Sequence, residues 1–103
     1  MALKAQPHAQ KHYMISYPEY FQATLDKRKT HELRKDVPGE EFNVGDTIFL
    51  EEFDKDLNQK TGRTCELVIT FVSPNPEPWL VPGYTLMSTR LKDPNKWYLP
   101  WRK

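Results

Sequence analysis

In the first third of the chain, a segment of strand-forming residues is followed by one in which the hydrophobic residues are spaced as in a helix. Residues 12–16 are rich in strand-forming side chains and end just before Pro18, which suits the first turn of a helix. From Pro18 to about Arg28 the apolar positions follow a helical spacing, on a side made of Tyr20, Phe21, Thr24 and Leu25. The pattern predicts a strand followed by a helix that Lys27 and Arg28 close.

The second half of the chain predicts strands separated by turns. Residues 47–53 are apolar enough for a central strand, and the polar segment 54–62 predicts a long hairpin loop. In the strand expected at 64–72, alternation sends one set of side chains to the core: Cys65, Leu67, Ile69 and Phe71. The proline-rich segment 73–83 predicts a crossing over the fold, and 84–91 predicts the last core strand.

A short polar segment, Lys29 to Arg34, links the predicted helix to the strands. If it is extended, Thr30, Glu32 and Arg34 share one face, while His31 and Leu33 face the other way and pack. The polar face has two interpretations. It is either a solvated surface with an ordinary Glu/Arg pair or a group of side chains that converge on a ligand, with Lys29 at the mouth of the strand.

Composition limits the function classes. The chain has 103 residues, which predicts one domain over residues 12–103 after a flexible lead-in at 1–11, with an aromatic, basic tail at its end. A formal charge of +1 gives no global attraction to nucleic acid, so a basic footprint has to be local. The single cysteine, Cys65, has no disulfide partner and no zinc cluster, and no apolar segment resembles a signal peptide or a membrane span. We therefore expect a cytoplasmic protein without metal or cofactor.

Five short motifs occur in a fixed order along the chain. They are P-E-Y-F at 18–21, K-T-x-E-x-R at 29–34, F-x-V-G-D at 42–46, T-G-R at 61–63 and P-G-Y at 82–84. In this order they resemble the ASCH superfamily of PUA-like folds, and more narrowly a small branch from phages and bacteria that is described as RNA-binding. The resemblance, together with the pattern of elements, implies an α+β fold: a small mixed β-barrel of about five to six strands with one or two helices.

The same resemblance implies a cleft lined by the strand Lys29 to Arg34 and a ligand that is RNA or a modified nucleotide. In this hypothesis Lys29 and Arg34 contact phosphate or a base edge, Thr30 donates or accepts a hydrogen bond, and Glu32 accepts from an exocyclic amine. Arg63 joins this ligand-binding group.

Two other functions stay open. Some ASCH relatives are similar to amidohydrolases that act on acetylated cytidine, and in that case Lys29 and Glu32 are the catalytic residues. The third possibility is a phage accessory protein that binds a host protein or a signalling nucleotide.

Overall fold

The computed structural model of the chain describes residues 9–73 and 81–92. Its elements, in chain order, are β1 (Lys11–Ser16), α1 (Pro18–Leu25), β2 (His31–Lys35), β3 (Thr47–Asp54), β4 (Gln59–Val72) and β5 (Tyr84–Leu91). Most of the predicted crossing segment and of the lead-in, and all of the tail from residue 93, lie outside the described residues. No helix within the described ranges is long and apolar enough to cross a membrane.

The five strands form one sheet in the order β1-β3-β4-β5-β2. β1 runs parallel to β3, and the other three pairs are antiparallel. The sheet curls into a half-barrel with β1 and β2 at its two edges, and α1 lies at its concave side against β3. The prediction of a small mixed α+β domain with about five strands is confirmed, and β3 is an interior strand as expected. The sheet is a half-barrel, so within the described residues the outer edges of β1 and β2 pair with no further strand.

The core fills the concave side of the sheet. Every second residue is buried there in β1, in β3 from Ile48 to Glu52 and in β4 from Cys65 to Ile69, which is the period that a strand imposes on its side chains. Helix α1 adds Phe21, which is fully buried, and Leu25. Burying a side chain of this size contributes about 1.5–3 kcal/mol, so a few large residues stabilise most of this small core.

The helix ends three residues earlier than the sequence predicts, at Leu25. Lys27 takes a left-handed conformation, with φ of 64°. Its N–H donates to the Thr24 carbonyl at 3.1 Å and the Arg28 N–H donates to the Ala23 carbonyl at 2.9 Å, which is the Schellman pattern of helix termination. The expectation that Lys27 and Arg28 close the helix from within is therefore wrong.

Two further corrections concern β4. The hairpin loop predicted at 54–62 is shorter, because the Asp54 side chain accepts hydrogen bonds from two backbone N–H groups and holds a tight turn over residues 55–58 before β4 starts at Gln59. Phe71 is 54% exposed instead of buried. The register between β4 and β5 shifts between Ile69 and Phe71, and this irregularity changes which side chains face the core.

β2 corrects the prediction about which face of the polar segment packs. His31 and Leu33 are exposed, Leu33 to 52%, whereas Glu32 is buried on the concave side with only 3% exposure. Alternation along the strand is as predicted, but the charged face points inward. The physical reason is that Glu32 has two cationic partners there, which offset the loss of its hydration.

Candidate functional site

Two cationic side chains, Lys29 and Arg34, meet at the buried carboxylate of Glu32. The Lys29 Nζ donates to Glu32 Oε2 at 2.8 Å, and Arg34 donates to Glu32 Oε1 from Nε at 3.0 Å and from Nη2 at 2.9 Å. One carboxylate therefore serves two cations, one on each oxygen. We call Lys29, Glu32 and Arg34 the Glu32 cluster; its local net charge is +1.

Both cations of the Glu32 cluster also reach the outer edges of β1 and β2. Carbonyls of successive strand residues point in opposite directions. The Gln10 carbonyl accepts from β3, so the Ile15 carbonyl points to the outer edge of β1, where it accepts from Arg34 Nη2 at 2.9 Å. In the same way the His31 carbonyl lies at the outer edge of β2 and accepts from Lys29 Nζ at 2.6 Å. The cluster thus lies across the opening of the half-barrel.

A cavity of about 250 Å³ opens on the Lys29 side of the cluster. Its lining consists of three cations, three hydroxyl side chains and two leucines: Lys27, Lys29, Arg90, Thr24, Thr30, Thr89, Leu67 and Leu91. We call it the lysine cavity. No carboxylate is among these lining residues, and Lys27 and Arg90 form no ion pair with another residue in the described ranges.

A second and larger cavity, of about 520 Å³, lies along the outer edge of β1. Arg34 lines it, and the other charges around it have mixed signs: Lys35, Lys60, Glu40 and Glu51. Lys60 is already paired with Glu51 at 3.1 Å. Electrostatically this cavity is close to balanced, which distinguishes it from the lysine cavity.

The structure thus divides the residues that the sequence indicated. Lys29 and Thr30 line the lysine cavity, and Arg34 lines the larger cavity. The buried Glu32 binds both Lys29 and Arg34 and so connects the two cavities. Sequence reasoning set Lys27 aside as a helix-end residue and missed Thr89 and Arg90. The Thr89 N–H donates to the Thr30 carbonyl at 3.0 Å, so the pairing of β5 with the start of β2 brings these residues together.

Arg63, the fifth predicted residue, belongs to another group. It contacts the buried Glu52 at 3.5 Å, donates to the Gln22 side chain at 2.6 Å, and places its guanidinium 5.1 Å from the centre of the Phe21 ring. Glu52 also accepts from the Thr61 hydroxyl at 2.7 Å. These contacts join α1 to β3 and β4.

His12 is a buried structural histidine. His12 is 2% exposed, and its ring nitrogens lie 2.6 Å from Glu40 Oε2 and 2.8 Å from Asp46 Oδ2. Asp46 also accepts backbone N–H groups of Gln10 and Asn43, each at 3.0 Å. The group holds β1 against the connection between β2 and β3. Its signal in the sequence was the Asp46 that ends the F-x-V-G-D motif.

Cys65 lies in the core, at 2% exposure, as predicted. Burial raises the pKa of its thiol to about 12, and the negative charges of Glu32 and Glu66 act in the same direction, against Arg63. Such a thiol is neutral at physiological pH and is a poor nucleophile. No three His, Cys, Asp or Glu side chains come together as metal ligands in the part of the chain that the structure describes.

Comparison with known families adds one finding. Residues 11–89 match the model of a domain of unknown function, DUF3850. The chain belongs to the DUF3850 family. The match spans the elements from β1 to most of β5, so the Glu32 cluster and most of the lysine-cavity lining fall inside the DUF3850 domain. No curated protein matches the chain.

Proposed function

We propose that this DUF3850 protein binds RNA or a modified nucleotide in the lysine cavity. The observation that carries the proposal is the composition of that cavity: three cations and three hydroxyls around two leucines, with no carboxylate in the lining. Cations attract phosphate, hydroxyls bond to sugar and base edges, and an apolar wall suits the face of a base.

Four of the lining residues and the neighbouring Glu32 have distinct roles in this proposal. Lys29, with Lys27 and Arg90, contacts phosphate, and Thr30 hydrogen-bonds to the sugar or base. Glu32 makes no direct ligand contact, because it is 3% exposed and both its oxygens are occupied; it holds Lys29 in place. Ligand cavities commonly measure roughly 300–1,000 Å³. The lysine cavity, at about 250 Å³, lies just below this range, so it holds only part of a nucleotide, and the rest of the nucleotide or of an RNA would follow the surface.

Binding of fluorescently labelled short RNAs and of single nucleotides tests the proposal. We expect Lys29→Ala to weaken binding roughly tenfold or more, because a charge-assisted hydrogen bond contributes about 1.5–3 kcal/mol. The salt dependence of RNA binding should also flatten by about 0.7 in the log–log slope for each phosphate that the variant no longer neutralises. Lys60→Ala is the control, since Lys60 lies outside the lysine cavity and pairs with Glu51. Binding without salt dependence, or equal effects of the two variants, would refute the proposal.

A hydrolase of acetylated or otherwise modified cytidine is the second candidate. The observation in its favour is the Lys29–Glu32 pair, 2.8 Å apart, with Thr30 lining the same cavity. A lysine that exchanges a proton with a carboxylate beside a hydroxyl is a recognisable acid–base arrangement. Incubation of the wild type and Lys29→Ala with a panel of modified nucleosides, followed by chromatography, decides between the two: turnover that Lys29→Ala abolishes supports the hydrolase, and intact nucleosides exclude it.

We also propose that DUF3850 is a branch of the ASCH superfamily with a PUA-like fold. The five-stranded half-barrel with one short helix, and the place of K-T-x-E-x-R at the start of β2, support this affiliation. A cytoplasmic location and a host-protein partner, if the gene is carried by a phage, belong to the same proposal. Co-purification with mass spectrometry of bound nucleotides and proteins tests the host-protein partner, since a host protein without any nucleotide would favour the accessory-protein alternative.

A further inference from the structure

Arg34 lies outside the lysine cavity, yet it is bonded to the carboxylate that holds the cavity's Lys29. We infer that Arg34 is a positioning residue for the nucleotide site and sets the charge available at Lys29 through the shared carboxylate of Glu32. The inference rests on the proposed function of the lysine cavity. It assigns to Arg34 an effect on ligand affinity without any contact with the ligand.

Arg34 and Lys29 bind different oxygens of the same carboxylate. Glu32 Oε1 takes both bonds from Arg34, at 2.9 and 3.0 Å, and Oε2 takes the bond from Lys29, at 2.8 Å. At 3% exposure Glu32 is only weakly screened by water, so each cation feels what the other does to the carboxylate.

The position of Arg34 is itself fixed from the opposite side. Its Nη2 also donates to the Ile15 carbonyl on the outer edge of β1 at 2.9 Å. The guanidinium is therefore anchored between a backbone carbonyl and the carboxylate. It donates two hydrogen bonds to one carboxylate oxygen from a planar group, a geometry that a lysine ammonium cannot reproduce.

The net charge of the Glu32 cluster changes in opposite directions in Arg34→Gln and Glu32→Gln, so the two variants should change ligand affinity in opposite directions. The Glu32 cluster has a net charge of +1. Arg34→Gln lowers it to zero, so Glu32 neutralises Lys29 alone and a phosphate has to compete with the carboxylate for the ammonium. Glu32→Gln raises it to +2, so the full charge of Lys29 is available to the ligand. A role of Arg34 and Glu32 in folding alone would weaken binding in both variants.

The experiment measures the affinity of a nucleoside monophosphate for folded protein, checked by circular dichroism, at low and moderate salt. We expect Arg34→Gln to bind roughly threefold to tenfold more weakly and Glu32→Gln to bind more tightly by a similar factor, as Coulomb energies over this range of distances imply. Arg34→Lys restores the charge but not the paired bonds to Glu32 Oε1, so it should recover only part of the loss. Lys60→Gln removes the same unit charge outside the cluster and is the matched control.

A second measurement does not depend on the ligand. The side-chain ammonium resonance of Lys29 in a ¹⁵N spectrum should shift in Arg34→Gln and stay in place in Lys60→Gln. Wild type that binds with Lys29 dependence, while Arg34→Gln changes neither affinity nor this resonance, would overturn the inference and leave the proposed function intact. Wild type that binds no nucleotide, while the resonance shifts as expected, would refute the proposed function and leave the electrostatic link within the cluster.

Discussion

Two buried glutamates on the concave side of the sheet have different surroundings. Glu32 is 3% exposed and Glu52 is 4% exposed. Both oxygens of Glu32 bind cations, and those cations continue to the strand edges and to the cavities. Glu52 binds the Thr61 hydroxyl and Arg63, and Arg63 continues to the side chains of Gln22 and Phe21 on α1.

Burial of a carboxylate alone therefore does not indicate a ligand-binding site. Around Glu52 the partners turn inward and connect the helix to the sheet. Around Glu32 they turn outward, so the same kind of buried carboxylate places cations where a ligand can reach them. We therefore expect the Glu32 cluster to affect both stability and binding, and the Glu52 group to affect stability alone.

Removing the Glu32 carboxylate is the strongest way to break the comparison. Glu32→Ala should lower the free energy of unfolding by about 3 kcal/mol, because it leaves Lys29 and Arg34 as uncompensated charges that are only partly exposed. Urea denaturation measures the loss. The control is Glu51→Ala, which removes a half-buried carboxylate paired with the exposed Lys60 and should change stability by under about 1 kcal/mol. Equal losses in the two variants would contradict the special position of Glu32.

Arg63 tests the other side of the comparison. Arg63→Ala should lower the free energy of unfolding by about 2 kcal/mol, since it removes the bond to Gln22, the interaction with Glu52 and the ring contact with Phe21. Nucleotide affinity of the folded variant should stay within about twofold of wild type, on a scale where 1.4 kcal/mol is tenfold. Arg28→Ala, at a side chain that is 66% exposed, is the control for loss of an arginine. A large loss of affinity in Arg63→Ala would place Arg63 in the binding site, as the sequence resemblance implied.

The strands and the start of the helix could be predicted because each is encoded locally. Strand-forming residues indicated β1, apolar density indicated β3 and a period-two pattern indicated β4. The segment of β5 was also predicted as a strand, and Pro18 marked the beginning of α1. The exposure of Phe71 could not be predicted, because it follows from a register shift against β5, a strand distant in sequence. Local alternation also says which residues share a face of β2, but not which face is buried.

The candidate site shows the same limit. A rule that buries apolar residues places Leu33 inside, and only the pairing of Glu32 with two cations reverses the strand. The motif pointed to Lys29 and Thr30, which line the lysine cavity. Arg90 joins them through the pairing of β2 with β5, which no local pattern contains.

Cys65 offers a pH test that separates the two glutamates. Its thiol pKa is raised from 9.0 to about 12 by burial and then by Glu32, while Glu52 has no part in the shift. The folded state therefore keeps a proton that the unfolded state loses above about pH 9, so this contribution to stability is complete below pH 9 and is lost as the pH rises toward 12. We expect the difference in unfolding free energy between wild type and Cys65→Ala to fall by up to about 1.4 kcal/mol per pH unit in this window.

Thiol absorbance during alkaline titration of the folded protein completes the Cys65 test. Glu32→Gln should lower the pKa of the thiol, because it removes a negative charge that disfavours the thiolate, and Glu52→Gln should leave the pKa where it is. A shift in Glu52→Gln as large as in Glu32→Gln would contradict the difference between the two buried carboxylates.

Lys27 gives the smallest expected effect and the sharpest separation of stability from binding. It lines the lysine cavity like Lys29, but it forms no ion pair within the described residues and holds a left-handed φ of 64°. Glycine adopts this conformation without strain, so Lys27→Gly should raise the free energy of unfolding by about 0.5–1 kcal/mol. The same change removes a cation, so nucleotide binding should weaken by a few-fold as the protein becomes more stable. Lys27→Ala is the matched control, because it removes the charge and keeps the backbone strain. If the two variants lose affinity equally and only Lys27→Gly gains stability, the charge of Lys27 contributes to ligand binding, and its left-handed backbone affects only the stability of the helix end.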